Sequence, residues 1–508
     1  MCSVAGVTSP DHNHLINTML NLMRHRAPDD KGIYKDKNIT LGMGRLKIVD
    51  LTSQNLCPYI NNEVVLSFNG EIYNFKEIKK ELKDLGYRFK TTSDTEVLAL
   101  AWSKWGTKTF TKLNGMFAFA VYDKRKNKLY LARDIAGEKP LYYIHRNKKL
   151  YFASEAKALT KTLDLTKKKS ETYFAFQHCL NETLFKNLFQ LPAASYLEYD
   201  LNLSKINNIS KYWTLKRKKI NLKTCTEELD FLLKKSIKLR TFCDVNYALY
   251  YSKGIDSSLI STFHNFKSKI FFNDKYNWKN DFFRKIKKIV YHLDFPVGSY
   301  SSYPLWKLAE KAKNKKIKVI LSGEGADEIF GGYIRYMPIY ASWQLKQNFK
   351  SYTPLFNKYY KDYYDDFSRI TARSQNLEII KKKMKSIFEM FDDPINAMGY
   401  FDFKYVMPSL LQMGDRMSSA FGIENRCPFL DKEIIEFGFN LPPEIKIKNF
   451  NQKKILRNIL KKKGISKPLN LEKKGLTIKY NKWFKKDDWD INRSNYFNYL
   501  NSIWSKTF

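Results

Sequence analysis

The run Ala248-Leu249-Tyr250-Tyr251-Ser252-Lys253-Gly254-Ile255-Asp256-Ser257-Ser258-Leu259-Ile260 decides how the second half of the chain is read. Its apolar start predicts a buried strand, its small and polar centre a tight loop, and its end the first turn of a helix. That arrangement aims backbone N–H groups and the positive end of a helix at an anion. Ser252, Ser257 and Ser258 can donate hydroxyl hydrogen bonds to phosphate oxygens, and Asp256 is suited to the Mg²⁺ that accompanies a nucleotide. An ordinary Ser/Gly/Asp turn has the same composition, so the run by itself leaves that alternative open.

Upstream, Leu229, Leu232, Leu233, Ile237 and Leu239 predict an amphipathic helix starting at Thr226 and leading into this loop. Downstream, Lys318-Val319-Ile320-Leu321-Ser322-Gly323-Glu324-Gly325-Ala326-Asp327-Glu328 predicts a second strand and glycine-rich loop, continuing to Phe330-Gly331-Gly332-Tyr333. Its crowded carboxylates repel one another and need a cation or a cationic substrate nearby. A nucleotide with Mg²⁺ supplies one. A solvated acidic loop is the alternative, and it fits poorly with flanking glycines and an apolar strand.

The composition bounds the rest. A chain of 508 residues with 44% hydrophobic content and 15% aromatics is long enough for two to four globular domains. No apolar run approaches the ~20 residues needed to cross a bilayer, and the start lacks the basic-then-apolar pattern of a signal peptide, so a cytoplasmic protein is expected. The net charge of +38 is spread in short runs such as Lys381-Lys382-Lys383, without a nucleic-acid module, and is read as solvated faces. Six scattered cysteines show neither zinc spacing nor a disulfide framework.

At the chain start, removal of the initiator Met would leave Cys2 first, with thiol and α-amine on one residue. An amine of pKa near ~8 can then act as the thiol's base. Ser3-Val4-Ala5-Gly6-Val7 predicts a short strand that fixes this nucleophile. Four further segments carry polar side chains at turn or strand ends: His25-Arg26-Ala27-Pro28-Asp29, Gly44-Arg45-Leu46-Lys47-Ile48-Val49-Asp50, Phe68-Asn69-Gly70-Glu71-Ile72-Tyr73-Asn74 and Thr92-Ser93-Asp94-Thr95-Glu96. Singly each reads as punctuation; together they make a glutamine site. Arg45 can grip the α-carboxylate, Glu71 and Asp94 can receive the α-ammonium, and Asn69 with the Gly70 N–H can stabilise the oxyanion.

This set resembles the class II glutamine amidotransferase domain. The likeness continues through Leu113-Asn114-Gly115-Met116-Phe117-Ala118-Phe119-Ala120-Val121-Tyr122-Asp123, Ala132-Arg133-Asp134, Lys139-Pro140-Leu141-Tyr142-Tyr143 and Phe152-Ala153-Ser154-Glu155. The two later loops, the run Met413-Gly414-Asp415-Arg416-Met417-Ser418-Ser419-Ala420-Phe421-Gly422-Ile423-Glu424-Asn425-Arg426-Cys427-Pro428-Phe429-Leu430-Asp431, then Lys453-Lys454-Ile455-Leu456-Arg457 and Glu472-Lys473-Lys474-Gly475-Leu476 resemble the ATP-pyrophosphatase-type domain of the glutamine-hydrolysing asparagine synthetase family.

The resemblance implies an α+β N-terminal nucleophile domain of stacked antiparallel sheets with flanking helices at 2–200. A linker at 201–222 and an α/β parallel-sheet synthetase domain with a helical C-terminal region at 223–508 follow. It adds Ile48 and Val49 to the glutamine site. It implies that ATP activates a carboxylate as its acyl-adenylate, with pyrophosphate held by Ser252, Gly254, Asp256, Ser257, Ser258, Ser322 and Gly323 and Mg²⁺ by Asp256 and Asp327. Glu324 would take a proton from attacking ammonia, and Lys453 would neutralise charge in the transition state. Arg416, Glu424 and Arg426 are read as a buried ion-pair network. Small-molecule substrates, no nucleic acid, no membrane and a homodimer are the partners implied.

Two departures stand out. Lys253 replaces a family glycine, which strains the backbone by roughly 1–2 kcal/mol if φ is positive there. The interval 270–300 is expected to lack a strand–helix–strand piece that forms the adenine-side wall, with Gly298-Ser299-Tyr300 where an acid is usual. Asparagine synthesis is therefore the leading reading. Amidation of another carboxylate (sugar, peptide or secondary metabolite) and a glutaminase carrying a degenerate synthetase scaffold are the alternatives.

Overall fold

The computed structural model describes residues 1–54, 56–176, 178–273, 278–296, 299, 301–348, 377–449, 451–470, 476 and 489–508. Gly298, Tyr300 and the run Glu472-Lys473-Lys474-Gly475 fall outside them.

In chain order the strands are β1 (Ser3–Val7), β2 (Asp30–Lys35), β3 (Thr40–Arg45), β4 (Tyr59–Ile60), β5 (Val64–Ile72), β6 (Gly115–Asp123), β7 (Lys128–Arg133) and β8 (Tyr142–Arg146), then β9 (Lys149–Ala153), β10 (Phe189–Gln190), β11 (Ser195–Asp200), β12 (Lys205–Lys211), β13 (Tyr247–Tyr250), β14 (Lys269–Ile270), β15 (Val319–Leu321) and β16 (Glu424–Arg426). Among the described residues the first twelve form two antiparallel sheets, ordered β10-β8-β9-β1-β3-β2 and β12-β11-β7-β6-β5-β4. β12 carries the second sheet on to Lys211, through part of the stretch read above as linker.

Side-chain alternation along the strands sorts the core into layers. Val4, Leu41, Val65, Ala118 and Leu131 meet between the two sheets. On the outer face of the second sheet, Phe68, Phe117 and Phe119 pack on Ile78 and Leu98 of helices Phe75–Asp84 and Asp94–Trp105. Ala5 and Val7 turn the other way, onto Ile16 and Leu20 of helix Asn13–Leu22. Their apolar cluster runs without a break into Ala248, Ile270, Phe282 and Ile320 of the second half, so the two halves share a dry seam.

In the second half β13 pairs parallel with β14 on one side and β15 on the other, and β15 pairs parallel with β16. The predicted amphipathic helix spans Cys225–Arg240 and buries Leu229, Leu233 and Ile237. Between β14 and β15 the chain forms helices Lys279–Leu293 and Ser302–Asn314. All strands of this sheet point the same way, and the order in which they are added reverses at β13; in such sheets ligands bind where the loops after the central strands diverge. The Ser252 and Ser322 loops both leave from that end.

The seam also carries charge. Glu155 Oε1 accepts from Arg26 Nη1 at 2.6 Å and lies 2.7 Å from Arg416 Nη1; Arg416 Nη2 and Lys157 Nζ lie 3.0 and 2.7 Å from the Asp294 carboxylate. Asp415 completes the group 3.2 Å from Arg26 Nη1. All six side chains are buried. Burial works to raise the Glu155 pKa, and Lys157, Arg416 and His25 outweigh it and hold the carboxyl well below its usual value.

Three cations here face three anions, so Glu155→Gln leaves a buried positive charge and should cost about 3–5 kcal/mol, read from the urea midpoint at neutral pH. A carboxyl with a depressed folded pKa stabilises above its unfolded value and stops doing so as pH falls through the folded one. The gap between wild type and Glu155→Gln should therefore narrow as pH drops below 4.5; a gap constant from pH 7 to pH 3 would contradict this charge assignment.

Candidate active site

β1 and β5 lie in opposite sheets and bring Cys2 next to Asn69. Ser3 pairs with Gly44, which sets Cys2 across from Arg45. From the other sheet, Asn69 Oδ1 accepts the Cys2 N–H at 3.0 Å. Its Nδ2 is buried with no partner among the described residues. A buried amide donor left open beside a thiol is what an oxyanion requires. Gly70 adjoins it, and a Cβ there would lie 2.1 Å from the Met116 carbonyl and 2.7 Å from Phe117 Cα, so only glycine lets β6 pass this close.

Arg45 is braced by the loop that follows it. Its Nη1 donates to Ser53 O at 3.1 Å, and its Nη2 donates to Val49 O and Asp50 O at 3.2 and 2.7 Å. Ile48 and Val49 are buried in that loop. Glu71 and Asp94 are buried too; burial and the Asp94 charge raise the Glu71 carboxyl well above normal, and burial pushes Asp94 up to about 6. Two such acids favour a cation between or beside them. Here Glu71 Oε2 accepts from Arg426 Nη2 at 2.9 Å, a bond from the other half of the chain that the motif reading did not anticipate.

Met1 occupies the buried space beyond Cys2. Its α-ammonium lies 3.4 Å from Glu424 Oε2, and Arg26 Nη2 approaches its sulfur at 3.4 Å. Burial raises the Cys2 thiol pKa, while the Met1 ammonium and the Leu46 N–H at the sulfur work against it. Taking Met1 away would free the Cys2 amine at the Asn69 carbonyl and open the seam beside it.

At the far end, Gly254 precedes helix Ile255–Phe263, with Ser257 and Ser258 in its first turn. The Ser257 Oγ accepts the Ser252 N–H at 3.2 Å and lies 3.1 Å from Ser252 Oγ, so the loop is folded into a cup by its own hydroxyls. Lys253 sits exposed on the rim with φ at +65°, the left-handed conformation in which its Cβ costs energy. Gly323 of the next loop abuts the cup: a Cβ would stand 3.0 Å from Asp256 Cβ.

The cation demanded by the acidic loop is supplied by Lys453. Its Nζ is 2.7 Å from each Asp256 oxygen and 2.8 Å from Asp327 Oδ1. Burial tends to discharge this lysine, but the two aspartates prevail and raise its pKa. Glu324 is half-buried and shifted upward by burial, with the Cys427 sulfur 3.8 Å from its Oε2. Ser322 Oγ donates to Asn425 Oδ1 at 2.8 Å, tying this loop to β16. Among the described residues no group of three or more His, Cys, Asp or Glu could hold a metal. A pair of carboxylates fits an Mg²⁺ that arrives with phosphates and keeps its waters.

Glu424 and Arg426 form the ion pair expected of them, 2.9 Å apart. Motif reading missed Lys157 and Asp294, which carry charge into the seam, and Glu138, which brings a buried carboxyl there. The signal available was charge inside apolar surroundings, as in Gly137-Glu138-Lys139-Pro140-Leu141.

Similarity to known proteins agrees with this geometry. The chain matches the glutamine amidotransferase domain family over residues 1–213 and the asparagine synthase family over residues 273–490. It is 31% identical to a putative glutamine-hydrolysing asparagine synthetase 2 of Methanocaldococcus jannaschii, across 66% of this chain and 76% of that one. Asparagine synthetases 1 and 3 of Bacillus subtilis are 29% and 27% identical, across 96% and 91% of this chain and 88% and 84% of theirs. Fold and comparisons together define a ligase of the amidotransferase class, with an N-terminal nucleophile sandwich in front of a parallel-sheet half. The chain belongs to the glutamine-hydrolysing asparagine synthetase family.

Gly332 offers a local test. A Cβ there would lie 2.0 Å from Asp327 Oδ1 and 2.1 Å from Lys453 Cε, both movable side-chain atoms. Gly332→Ala should push the pair apart and lower ATP-dependent pyrophosphate release at least tenfold, with glutamine hydrolysis kept within twofold. Unchanged pyrophosphate release would show that the Lys453–Asp327 contact is not needed.

Proposed function

We propose that the protein makes asparagine from aspartate, ATP and glutamine, and that it does so at two separate centres. The support for the nitrogen-donating half is Cys2 beside an Asn69 amide whose Nδ2 has no partner among the described residues. With Met1 removed, the Cys2 amine takes the thiol proton, the thiolate attacks the glutamine side-chain carbonyl, and Asn69 Nδ2 with the Gly70 N–H receives the oxyanion. Collapse breaks the C–N bond and releases ammonia; water then cleaves the thioester to glutamate. Arg45 orients the α-carboxylate, and Glu71 with Asp94 receives the α-ammonium.

In the second half the aspartate side-chain carboxylate attacks the α-phosphorus of ATP, and pyrophosphate leaves into the cup of Ser252, Gly254, Ser257 and Ser258 beside Ser322 and Gly323. Lys453 lies ready to neutralise charge there. Mg²⁺ held by Asp256 and Asp327 would supply further charge neutralisation on the phosphates. Ammonia attacks the acyl-adenylate, AMP leaves, and Glu324 accepts the surplus proton.

A second reading keeps this chemistry and changes the acceptor acid. It is supported by the modest identity, 27% to 31%, to the named asparagine synthetases.

Cys2→Ala should reduce glutamine-driven AMP formation at least a hundredfold and leave ammonia-driven AMP formation intact. Loss of both in a folded variant would refute the division of labour, and AMP formation only with an acid other than aspartate would select the second reading. Lys253→Gly relieves the positive-φ strain: a lower KM for ATP marks the lysine as an obstruction, and a higher one marks it as a phosphate ligand.

A further inference from the structure

Within the seam, Arg133, Glu138, His178, Gln190, Asp415 and Arg416 line a small cavity of about 10 Å³. That is room for one molecule the size of water or ammonia. Most of its polar lining is engaged. Arg133 donates to three backbone carbonyls, His178 Nδ1 accepts the Leu180 N–H at 2.8 Å, and Gln190 Nε2 donates to Tyr142 Oη at 3.3 Å. Glu138 is buried at 6% exposure, and its Oε2 has no hydrogen-bond partner among the described residues.

The cavity has one neighbour at each catalytic centre. On one side Asp415 pairs with Arg26 Nη1 at 3.2 Å, and Arg26 Nε donates to the Cys2 carbonyl at 3.1 Å. On the other, the Cys427 thiol beside Glu138 lies 3.8 Å from Glu324 Oε2.

We infer that Glu138 is a positioning residue for ammonia in transit: its open carboxyl oxygen accepts an N–H hydrogen bond from ammonia held in the seam cavity between Cys2 and Glu324. This rests on the two-centre reading above. The protonation behaviour of Glu138 agrees with it. Burial, and next the Asp134 charge, push its carboxyl up to about 8 against the pull of Arg240 and Lys139. An uncharged carboxyl accepts the N–H bond through its carbonyl oxygen without the negative charge that would hold ammonium in place.

The test is a nitrogen balance on the full-length enzyme, supplied with ¹⁵N-amide glutamine in a bath of unlabelled ammonium. Glutamate and pyrophosphate release and the label in the amide product are measured together. For Glu138→Met, which keeps length and removes the acceptor, glutamate released per pyrophosphate should rise at least threefold and the product should take nitrogen from the bath. Glutaminase turnover and ammonia-driven pyrophosphate release should stay within twofold of wild type. Glu138→Gln, which keeps an acceptor carbonyl, should restore the wild-type ratio. A Glu138→Met enzyme that couples as wild type does, with only its stability changed, would reduce the site to a structural water pocket and overturn the proposal; a Glu138→Gln enzyme that leaks would overturn it too, and still serves if the Met variant does not fold. Failure of the two-centre reading gives a different signal, a wild type in which glutamine drives no pyrophosphate release at all.

Discussion

Everything functional in this molecule depends on a balanced set of charges sealed between its two halves. Arg26, Lys157 and Arg416 meet Glu155, Asp294 and Asp415 where neither side offers water. Charges in such a place cost several kcal/mol each to desolvate, and attraction repays that cost only when every member is present and well aligned. The set draws partners from both halves, so neither half satisfies its own charges alone. A rotation that would move Cys2 relative to the β13–β15 loops has to break several of these bonds at once. The same guanidinium that joins Asp415 holds the Cys2 carbonyl, which couples the geometry of the nucleophile directly to the seam.

The two centres solve one electrostatic problem in different ways. Each gathers acids whose charges repel and brings in a cation from elsewhere in the sequence. At the glutaminase end the acids are Glu71 and Asp94, and Arg426 reaches across from β16. At the other end Asp256 and Asp327 sit in separate loops, and Lys453, at the start of helix Lys454–Lys462, bridges them. Arg426 also pairs with Glu424, which holds the Met1 ammonium, so removal of the first residue would change the charge seen by Glu71 through a path of three contacts. Were Met1 removed, the charge at the chain start and the surroundings of Glu71 would change together.

Local pattern made much of the fold legible. Ser3–Val7 reads as a strand because its residues are small or β-branched, and Cys225–Arg240 reads as a helix because its leucines recur on one face. Parallel β13 and β15 were visible as apolar runs closed by glycine and serine. The seam was not visible in that way. Arg26 and Asp415 are 389 residues apart, and nothing in the periodicity of either segment announces the other. The interval after β14 is a second case: Val290 and Leu293 are the buried face of the last turns of helix Lys279–Leu293, and the spacing of that segment does not say what the face packs on. Spacing shows which face of an element is apolar and leaves open what it will meet.

Lys253 and Lys453 bring out what composition alone hides. Both are lysines beside the phosphate cup, and both hold a left-handed backbone, at φ +65° and +52°. Lys453 is buried at 4% exposure, and its three short contacts to carboxylate oxygens offset its strain and its desolvation. Lys253 is exposed, and its side chain gains little from the field of a solvated rim. Strain held without local return is found where a ligand provides the return or where selection on the site has relaxed. The first case makes Lys253 a contact that forms only when phosphate is present, and the second makes it a mark of a cup that no longer closes on nucleotide. The sign of its effect on ATP affinity therefore carries more information about this half of the protein than any residue already engaged in the resting structure.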